Sequence, residues 1–404
     1  MQYLFTERAH LMCPQMNFGI VLASGHPYDE ARIRDTVAKL SAAHPFLRAL
    51  LGYEEERNAY YYRVTDSAKT ELQLKSRIIT DPDDPEIMKA YEALTSRDWD
   101  LFSEGMLKAA AWPMESGTCF LLVFHHLLAD GRGALGLAQE LAECYASGKQ
   151  PKKAEERLIS SIKEFPADSA LPWISRFLVN RANRAQAKEQ KVVTYPEYHA
   201  FADEFLRNHP VRHEIRRTGR EELKSIRSQC RSHGVTVNDW LLAKMMTEER
   251  TAKVIMACDL CDRLACYQEG TLGNYSTAFS VKVRGRGQDL YGRAKAVHEQ
   301  VQRKMKKPAA LYLTLQCYAS LDPAVLDAAC IACCGDYPSK PGRFVGSMFF
   351  GFSSGAGYSV TNLGKIESEN MTSAYFIPPA SPAIRKTQGV LTVNGVMTVC
   401  SSGR

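Results

Sequence analysis

The sequence lacks an apolar run long enough to cross a bilayer, since no uninterrupted hydrophobic stretch approaches the roughly 20 residues that a membrane-spanning helix needs. It also lacks the pattern of a secretory signal, because the opening residues MQYLFTER reach polar and charged positions before an apolar core has formed. Together these two absences predict a cytoplasmic protein without a membrane span.

A strong excess of charge of one sign is also missing. The 51 Lys and Arg residues against 45 Asp and Glu residues leave a net charge of +6 over 404 residues. This excess is compatible with an anionic ligand such as a phosphorylated cofactor, but it is too small to indicate nucleic-acid binding. We therefore expect no nucleic-acid partner.

The 12 cysteines lack the spacing of a complete metal site. Cys330, Cys333 and Cys334 could supply two zinc ligands, but no second CxxC or His pair with matching spacing completes four ligands. Without a secretory signal, reduced thiols are the expected state, and the stretch 324–332 (AVLDAACIA) is typical of a buried helix. The sequence predicts no metal centre and no permanently bound cofactor.

The most informative segment that is present covers residues 120–131, FLLVFHHLLADG. An apolar strand there brings His125 and His126 to its end, and Asp130 and Gly131 follow at the turn into a helix. An imidazole titrates near neutral pH, so at a strand end facing a cleft it can act as a general base. There are two alternatives to a general base, namely a pair of loop histidines without a chemical role and a His/Asp metal site. Adjacent residues on a strand point in different directions, which disfavours the metal site.

Helical and strand patterns alternate on both sides of this segment, which predicts an α/β protein with two sheets. Later in the chain, Thr236 or Asn238 can cap a helix, and Asn394-Gly395 is the signal of a β-hairpin. We predict an N-terminal half over 1–165, a basic and weakly periodic crossover linker over 166–214, and a C-terminal half over 215–404. The linker contains Arg176, Arg181, Arg184, Lys188 and Lys191, for which a solvated basic helix is the simplest interpretation.

In their order along the chain, these motifs resemble the chloramphenicol acetyltransferase-like superfamily, which includes condensation domains of nonribosomal peptide synthetases, alcohol acetyltransferases and polyketide-associated acyltransferases. Residues 125–131 match the HHxxxDG signature of that superfamily. Further matches follow the family order: HPFLR at 44–48, DWDL at 98–101, VTVNDWLLA at 235–243, DLCDR at 259–263 with LGN at 272–274, and VTNLG at 360–364.

The resemblance implies two chloramphenicol acetyltransferase-like sheet-and-helix halves with an active-site channel at their interface. It implies transfer of an acyl group from a thioester to a hydroxyl or amine of a small-molecule acceptor. The donor would be acyl-CoA or the phosphopantetheinyl arm of an acyl-carrier protein, which would then be a partner. His126 would be the general base, His125 a structural residue, and Gly131 would clear backbone space near the thioester path.

Two details of the site stay open in the sequence. Peptide-forming condensation domains usually carry an Arg that pairs with the signature Asp, but Ala43 stands at that position here, so Arg263 is the predicted partner of Asp130. An oxyanion stabiliser is expected, and its candidates are Asn274, Thr361 and Asn362.

The alternative function is a catalytically silent relative that binds a carrier protein or a small ligand on the same scaffold. The intact histidines and the Asp-Gly pair of the signature favour the enzyme.

Overall fold

The computed structural model describes residues 1–283, 289–332, 334, 335, 337–348 and 357–404, with the backbone of 349 and 350. The strands are β1 (Gln2–Tyr3), β2 (Asn17–Ser24), β3 (Ala49–Glu54), β4 (Ala59–Val64), β5 (Glu71–Leu74), β6 (Leu107–Met114), β7 (Gly117–His125), β8 (Arg212–Thr218), β9 (Lys253–Asp259), β10 (Ser276–Lys282), β11 (Gly357–Ile366), β12 (Ser373–Ile377), β13 (Ile384–Val393) and β14 (Val396–Gly403). The helices are α1 (Glu30–Ala43), α2 (Pro85–Thr95), α3 (Gly131–Ser147), α4 (Trp173–Glu189), α5 (Tyr195–Asn208), α6 (Arg220–Ser232), α7 (Val237–Glu248), α8 (Leu290–Met305), α9 (Pro308–Leu311), α10 (Leu313–Ser320), α11 (Pro323–Ala332) and α12 (Lys340–Val345).

Two large sheets organise the molecule, which is the α/β arrangement of two sheet-and-helix halves that the sequence predicts. One sheet has the strand order β12-β2-β7-β6-β5, and the other has the order β10-β9-β11-β13-β14-β8. A small third sheet has the order β1-β4-β3. β12 comes from the C-terminal part of the chain but pairs antiparallel with β2, so this strand ties the second half to the first sheet.

β7 is the central strand of its sheet, because it pairs with β2 on one side and with β6 on the other. All of its residues are buried, which explains why its sequence reads as a continuous apolar run instead of alternating. The strand ends at His125, so the HHxxxDG segment begins at the end of the central strand of this sheet.

Local capping and turn signals explain where several other elements begin. At the start of α7, Thr236 and Asp239 form a reciprocal capping box, so Thr236 and not Asn238 is the N-cap. Asn394 and Gly395 both have positive φ, at 48° and 81°, and connect β13 to β14 as the predicted hairpin.

The predicted linker region contains two helices, α4 and α5. The start of α5 also carries a capping box, in which Thr194 and Glu197 satisfy each other's backbone N–H. The helical period of α4 is weak in the sequence because much of this helix is exposed. In the described part of the chain, no helix combines the length and apolar character needed to span a membrane.

Candidate active site

The turn after β7 is held in place by the carboxylate of Asp130. One oxygen of Asp130 accepts hydrogen bonds from the backbone N–H groups of Arg132 and Gly133, each at 3.0 Å, and so caps the N-terminus of α3. Its other oxygen accepts from the backbone N–H of Tyr275, at 2.9 Å, in the second half of the chain. The same carboxylate therefore orders the motif loop and connects the two halves.

The prediction that Arg263 pairs with Asp130 is wrong. The guanidinium of Arg263 donates instead to the carbonyl oxygen of Met305, at 3.4 Å. Three backbone N–H groups take the place of a cation. Burial still dominates and raises the pKa of Asp130 to about 6, although those N–H groups oppose it.

An ion pair does link this loop to the second half, but the cation lies on the loop side and the carboxylate lies in the second half. Arg132, on the motif side, pairs with Asp259, at the end of β9. Asp259 opens the DLCDR segment that supplied the Arg263 hypothesis. The DLCDR segment therefore does meet the loop after β7, but it contributes the carboxylate, and the residue that follows Gly131 contributes the cation.

Asn274 orients the ring of His126. The amide nitrogen Nδ2 of Asn274 donates to the carbonyl oxygens of His126, at 2.7 Å, and Leu127, at 3.2 Å. This leaves the amide oxygen Oδ1 facing His126 Nδ1, at 2.9 Å. Because an amide oxygen only accepts, Nδ1 carries the proton and Nε2 keeps its lone pair. Burial also lowers the pKa of His126, so the ring is neutral at pH 7.

A second imidazole lies face to face with His126. The ring centroids of His10 and His126 are 4.4 Å apart, with 6° between the ring planes. Burial lowers the pKa of His10 well below its usual value, with smaller contributions from His126 and His125. The Nδ1 atom of His10 is buried and has no hydrogen-bond partner within the described residues. Sequence reasoning missed His10, because this residue belongs to no recognisable motif.

His125 is packed away from the cavity that His126 faces. It is buried, burial lowers its pKa to about 3, and its Nδ1 accepts the backbone N–H of Leu127 at 3.2 Å. These contacts shape the turn after β7 and give His125 no route to a substrate proton.

Gly131 lies close to the second half of the chain. A Cβ atom at this position would collide with Cδ2 of Leu363, which belongs to the VTNLG segment at the end of β11. The absence of a side chain at Gly131 therefore leaves room for Leu363, whose side chain would have to move to admit a larger residue. The expected role of Gly131 beside the thioester path stays a prediction.

The three candidates for the oxyanion donor differ in their surroundings. Asn274 lines the cavity, but both of its hydrogen-bond donors are used by the carbonyl oxygens of the motif loop. Asn362 donates to Asn238 Oδ1 and accepts from the backbone N–H of Gly364. Thr361 lines the cavity and lies on the same strand as Asn362.

A cavity of about 580 Å³ lies beside His126 and is bounded by both halves. The first half contributes the segment between β1 and β2, including His10, and the second half contributes β9, β10, β11 and α10. The lining combines hydroxyl-bearing and apolar side chains. The hydroxyl-bearing residues include Ser276, Ser280, Ser359, Thr361 and Thr387, and the apolar ones include Ala9, Met16, Leu313 and Leu315.

Within the residues that the structure describes, no group of three His, Cys, Asp or Glu side chains is arranged to hold a metal. Cys330 lies buried on α11, the helix that the sequence predicted there. Cys334 donates a hydrogen bond to the carbonyl oxygen of Cys330, at 3.6 Å. Cys333, the third member of the group considered as zinc ligands, lies outside the described residues.

Comparison with known proteins places these features in a family. The model of the condensation domain family matches residues 1–247, which is more than half of the chain and includes the HHxxxDG segment and the start of α7. A protein of Salinispora arenicola (strain CNS-205), described as a probable nonribosomal peptide synthetase, CymA, is 27% identical over 135 residues. This match covers 33% of the chain but only 2% of the length of that synthetase.

Solved structures share the fold over nearly the whole chain. Polyketide synthase associated protein 5 from Mycobacterium tuberculosis superposes with a TM-score of 0.61 at 14% identity, over 100% of this chain and 92% of that one. The first condensation domain of the CDA synthetase gives a TM-score of 0.58 at 13% identity, over 100% and 91%. The epimerization domain of tyrocidine synthetase B gives 0.56 at 15% identity, over 99% and 88%. At these identities the likeness shows the fold alone.

Proposed function

This chain belongs to the condensation-domain family, and from that premise we propose that it transfers an acyl group from a thioester to a hydroxyl or amine acceptor, with His126 as the general base. The observation that carries the proposal is the hydrogen bond between His126 Nδ1 and Asn274 Oδ1 at 2.9 Å, beside a cavity bounded by both halves. That bond leaves Nε2 as the basic atom of a neutral ring.

The reaction needs one base and no covalent enzyme intermediate. The acceptor oxygen or nitrogen attacks the thioester carbonyl while His126 Nε2 removes its proton. The tetrahedral intermediate then collapses, the carbon–sulfur bond breaks, and the proton on His126 passes to the departing thiolate. Because a thioester is already activated, the protein's main contribution is to hold acceptor and donor in reacting geometry inside the cavity.

The neighbouring residues would have two kinds of role, to hold the motif loop and to stabilise the oxyanion. Asp130 holds the loop through backbone N–H groups, and His125 shapes the turn. Thr361 is the proposed donor to the oxyanion, because it lines the cavity while the donors of Asn274 are already used.

The acyl group would arrive on acyl-CoA or on the phosphopantetheinyl arm of an acyl-carrier protein, as a co-substrate and not as a resident cofactor. The acceptor would be a small molecule with a polar nucleophile and an apolar part, because the cavity lining combines hydroxyl-bearing and apolar side chains. A carrier protein would be a partner only in the second case.

The test is release of free thiol from acyl-CoA and from acyl-carrier protein in the presence of alcohol and amine acceptors. His126→Ala should reduce turnover by roughly two to four orders of magnitude, the usual contribution of general-base catalysis. His233→Ala is the matched control, since His233 is exposed at the end of α6. Equal turnover in wild type and His126→Ala would contradict the role of His126. Retained ligand binding without any turnover in the wild type would instead favour the catalytically silent alternative.

A further inference from the structure

The helix α4 presents an exposed face that the proposed chemistry does not use. With 3.6 residues per turn, successive residues are about 100° apart around the axis, and six side chains fall within one arc of about 100°. These side chains are Trp173, Ile174, Phe177, Arg181, Arg184 and Lys188, called here the α4 face. Val179, Ala182 and Gln186 lie on the opposite side of the helix and are buried against the protein.

The first turn of the α4 face is apolar and uncovered. Trp173 is 76% exposed, Ile174 is 53% exposed and Phe177 is 60% exposed. Exposed apolar side chains that occur singly need no explanation, but three large ones adjoining on one turn indicate a surface that something covers.

The rest of the α4 face is cationic. Arg181, Arg184 and Lys188 are exposed, and none of them forms an ion pair with a carboxylate within the described ranges. The acid on this helix is Glu189, whose Oε2 accepts the backbone N–H of Lys340. A binding partner complementary to the α4 face must therefore present a surface that is both apolar and anionic.

We propose that the α4 face docks the protein on an anionic lipid bilayer. On a helix tilted with its first turn toward the bilayer, an apolar turn containing Trp and Phe reaches the boundary of the acyl chains, and the cations further along the same face lie at the level of the charged headgroups. The Trp, Ile and Phe side chains would enter the boundary, while the three cations would meet lipid phosphates. The bilayer is favoured over an acidic protein because the apolar side chains occupy one end of the face and the cations occupy about two turns beyond it, so that depth in a layered surface separates them. A flat layered surface satisfies this order without a dedicated pocket.

The α4 face lies one helix away from the cavity. The Arg181 guanidinium lies over the ring of Phe344 on α12, 5.3 Å from the ring centroid. The chain after α12 lines the cavity at Ser347 and Met348, and both of these residues are exposed. A protein docked through α4 would hold this rim of the cavity close to the membrane.

Trp173 provides a direct spectroscopic test on the whole protein. The other three tryptophans, Trp99, Trp112 and Trp240, are at most 8% exposed, so a change in emission on binding reports Trp173. The probes are phosphatidylcholine vesicles with and without about 30 mol% phosphatidylglycerol. We expect a blue shift of the emission and co-sedimentation with the anionic vesicles, both weakened by salt.

Two sets of substitutions separate the apolar and electrostatic contributions. The triple variant Trp173→Ala, Ile174→Ala and Phe177→Ala is followed by co-sedimentation. The triple variant Arg181→Glu, Arg184→Glu and Lys188→Glu is followed by both readouts. Each set should lower partitioning of the protein into the vesicles at least tenfold. For the cationic set the reason is that every cation near an anionic surface contributes about fivefold. For the apolar set it is the loss of the side chains that enter the acyl boundary. The matched controls are Ile78→Ala, at a side chain 64% exposed, and Arg34→Glu with Lys224→Glu, at exposed cations on other helices.

Two outcomes would overturn the proposal. One is a wild-type protein that neither sediments with anionic vesicles at low salt nor changes its emission. The other is binding that the control substitutions weaken as much as the α4 substitutions do. Thermal denaturation of each variant shows whether it has folded, and thiol release measured without vesicles tests the acyl transfer independently.

Discussion

A change of pH tests the buried histidine of the HPFLR segment. His44 is buried between two carboxylates, with Nε2 2.6 Å from Glu140 Oε2 and Nδ1 3.0 Å from Glu156 Oε1. Because both ring nitrogens face acceptors, both carry protons and the ring is cationic. Burial alone would lower the pKa of His44, but the hydrogen bonds to Glu140 and Glu156 outweigh it and raise the pKa to about 9.

The expected loss of stability follows from this shift. The usual pKa is 6.5 and the pKa in the folded protein is about 9, a rise of about 2.5 units. At about 1.4 kcal/mol per unit, the charged form contributes roughly 3 kcal/mol to the free energy of unfolding. The folded pKa lies above the unfolded one, so this contribution is complete below pH 6.5. It decreases as the pH rises and is lost above about pH 9.

The measurement is urea denaturation of wild type and His44→Gln at about pH 6 and about pH 9.5. Glutamine keeps hydrogen-bonding capacity but does not titrate, so the variant should lose less stability between the two pH values, by roughly 3 kcal/mol. The titration of other groups cancels in the comparison. Replacing the exposed His233 with Gln controls for removal of a histidine as such. Equal pH dependence in wild type and His44→Gln would show that His44 is not held in its charged form.

Three further predictions concern contacts that only the folded chain reveals. His10→Phe should retain most of the turnover, because a phenyl ring preserves the stack on His126. His10→Ala should lower kcat by at most about tenfold, measured by thiol release across pH. Equal effects of the two variants would contradict a stacking role. Arg8 and Asp327 form a buried ion pair of 2.6 Å, and either Asp327→Asn or Arg8→Met breaks it. Each substitution should lower the free energy of unfolding by about 3–5 kcal/mol, measured by thermal denaturation. The double variant should lose less than the sum, and additive losses would show that the pair is not coupled. Arg132→Ala removes a partly exposed ion pair with Asp259 and should cost less than about 1 kcal/mol, with an effect that disappears in high salt.

The sequence by itself determined the features that depend on neighbouring residues. A continuous apolar run specifies β7, Asp130 caps the helix that begins at Gly131, and Asn394-Gly395 specifies a hairpin. These interactions act over a few residues, so their physical cause is visible in the order of side chains. The family resemblance is visible for a related reason, because its motifs are short segments of neighbouring residues.

The sequence could also suggest which distant segments meet, but not which atoms pair. It linked the DLCDR and LGN segments to the HHxxxDG loop, and the structure brings them together. The predicted cation on Asp130 was nevertheless wrong, since backbone N–H groups, including that of Tyr275, hold this carboxylate. Every residue except proline carries such a donor, so the choice of partner leaves little trace in residue identity.

Only the tertiary structure decided the remaining parts of the site. It placed His10 on the face of His126, 116 positions further along the chain, and it brought β12 across to β2. It also left Trp173, Ile174 and Phe177 in the first turn of α4 exposed, although their apolar character by itself would favour burial. Burial and long-range contacts depend on how whole elements pack together, and that packing is a property of the complete chain and not of any segment of it.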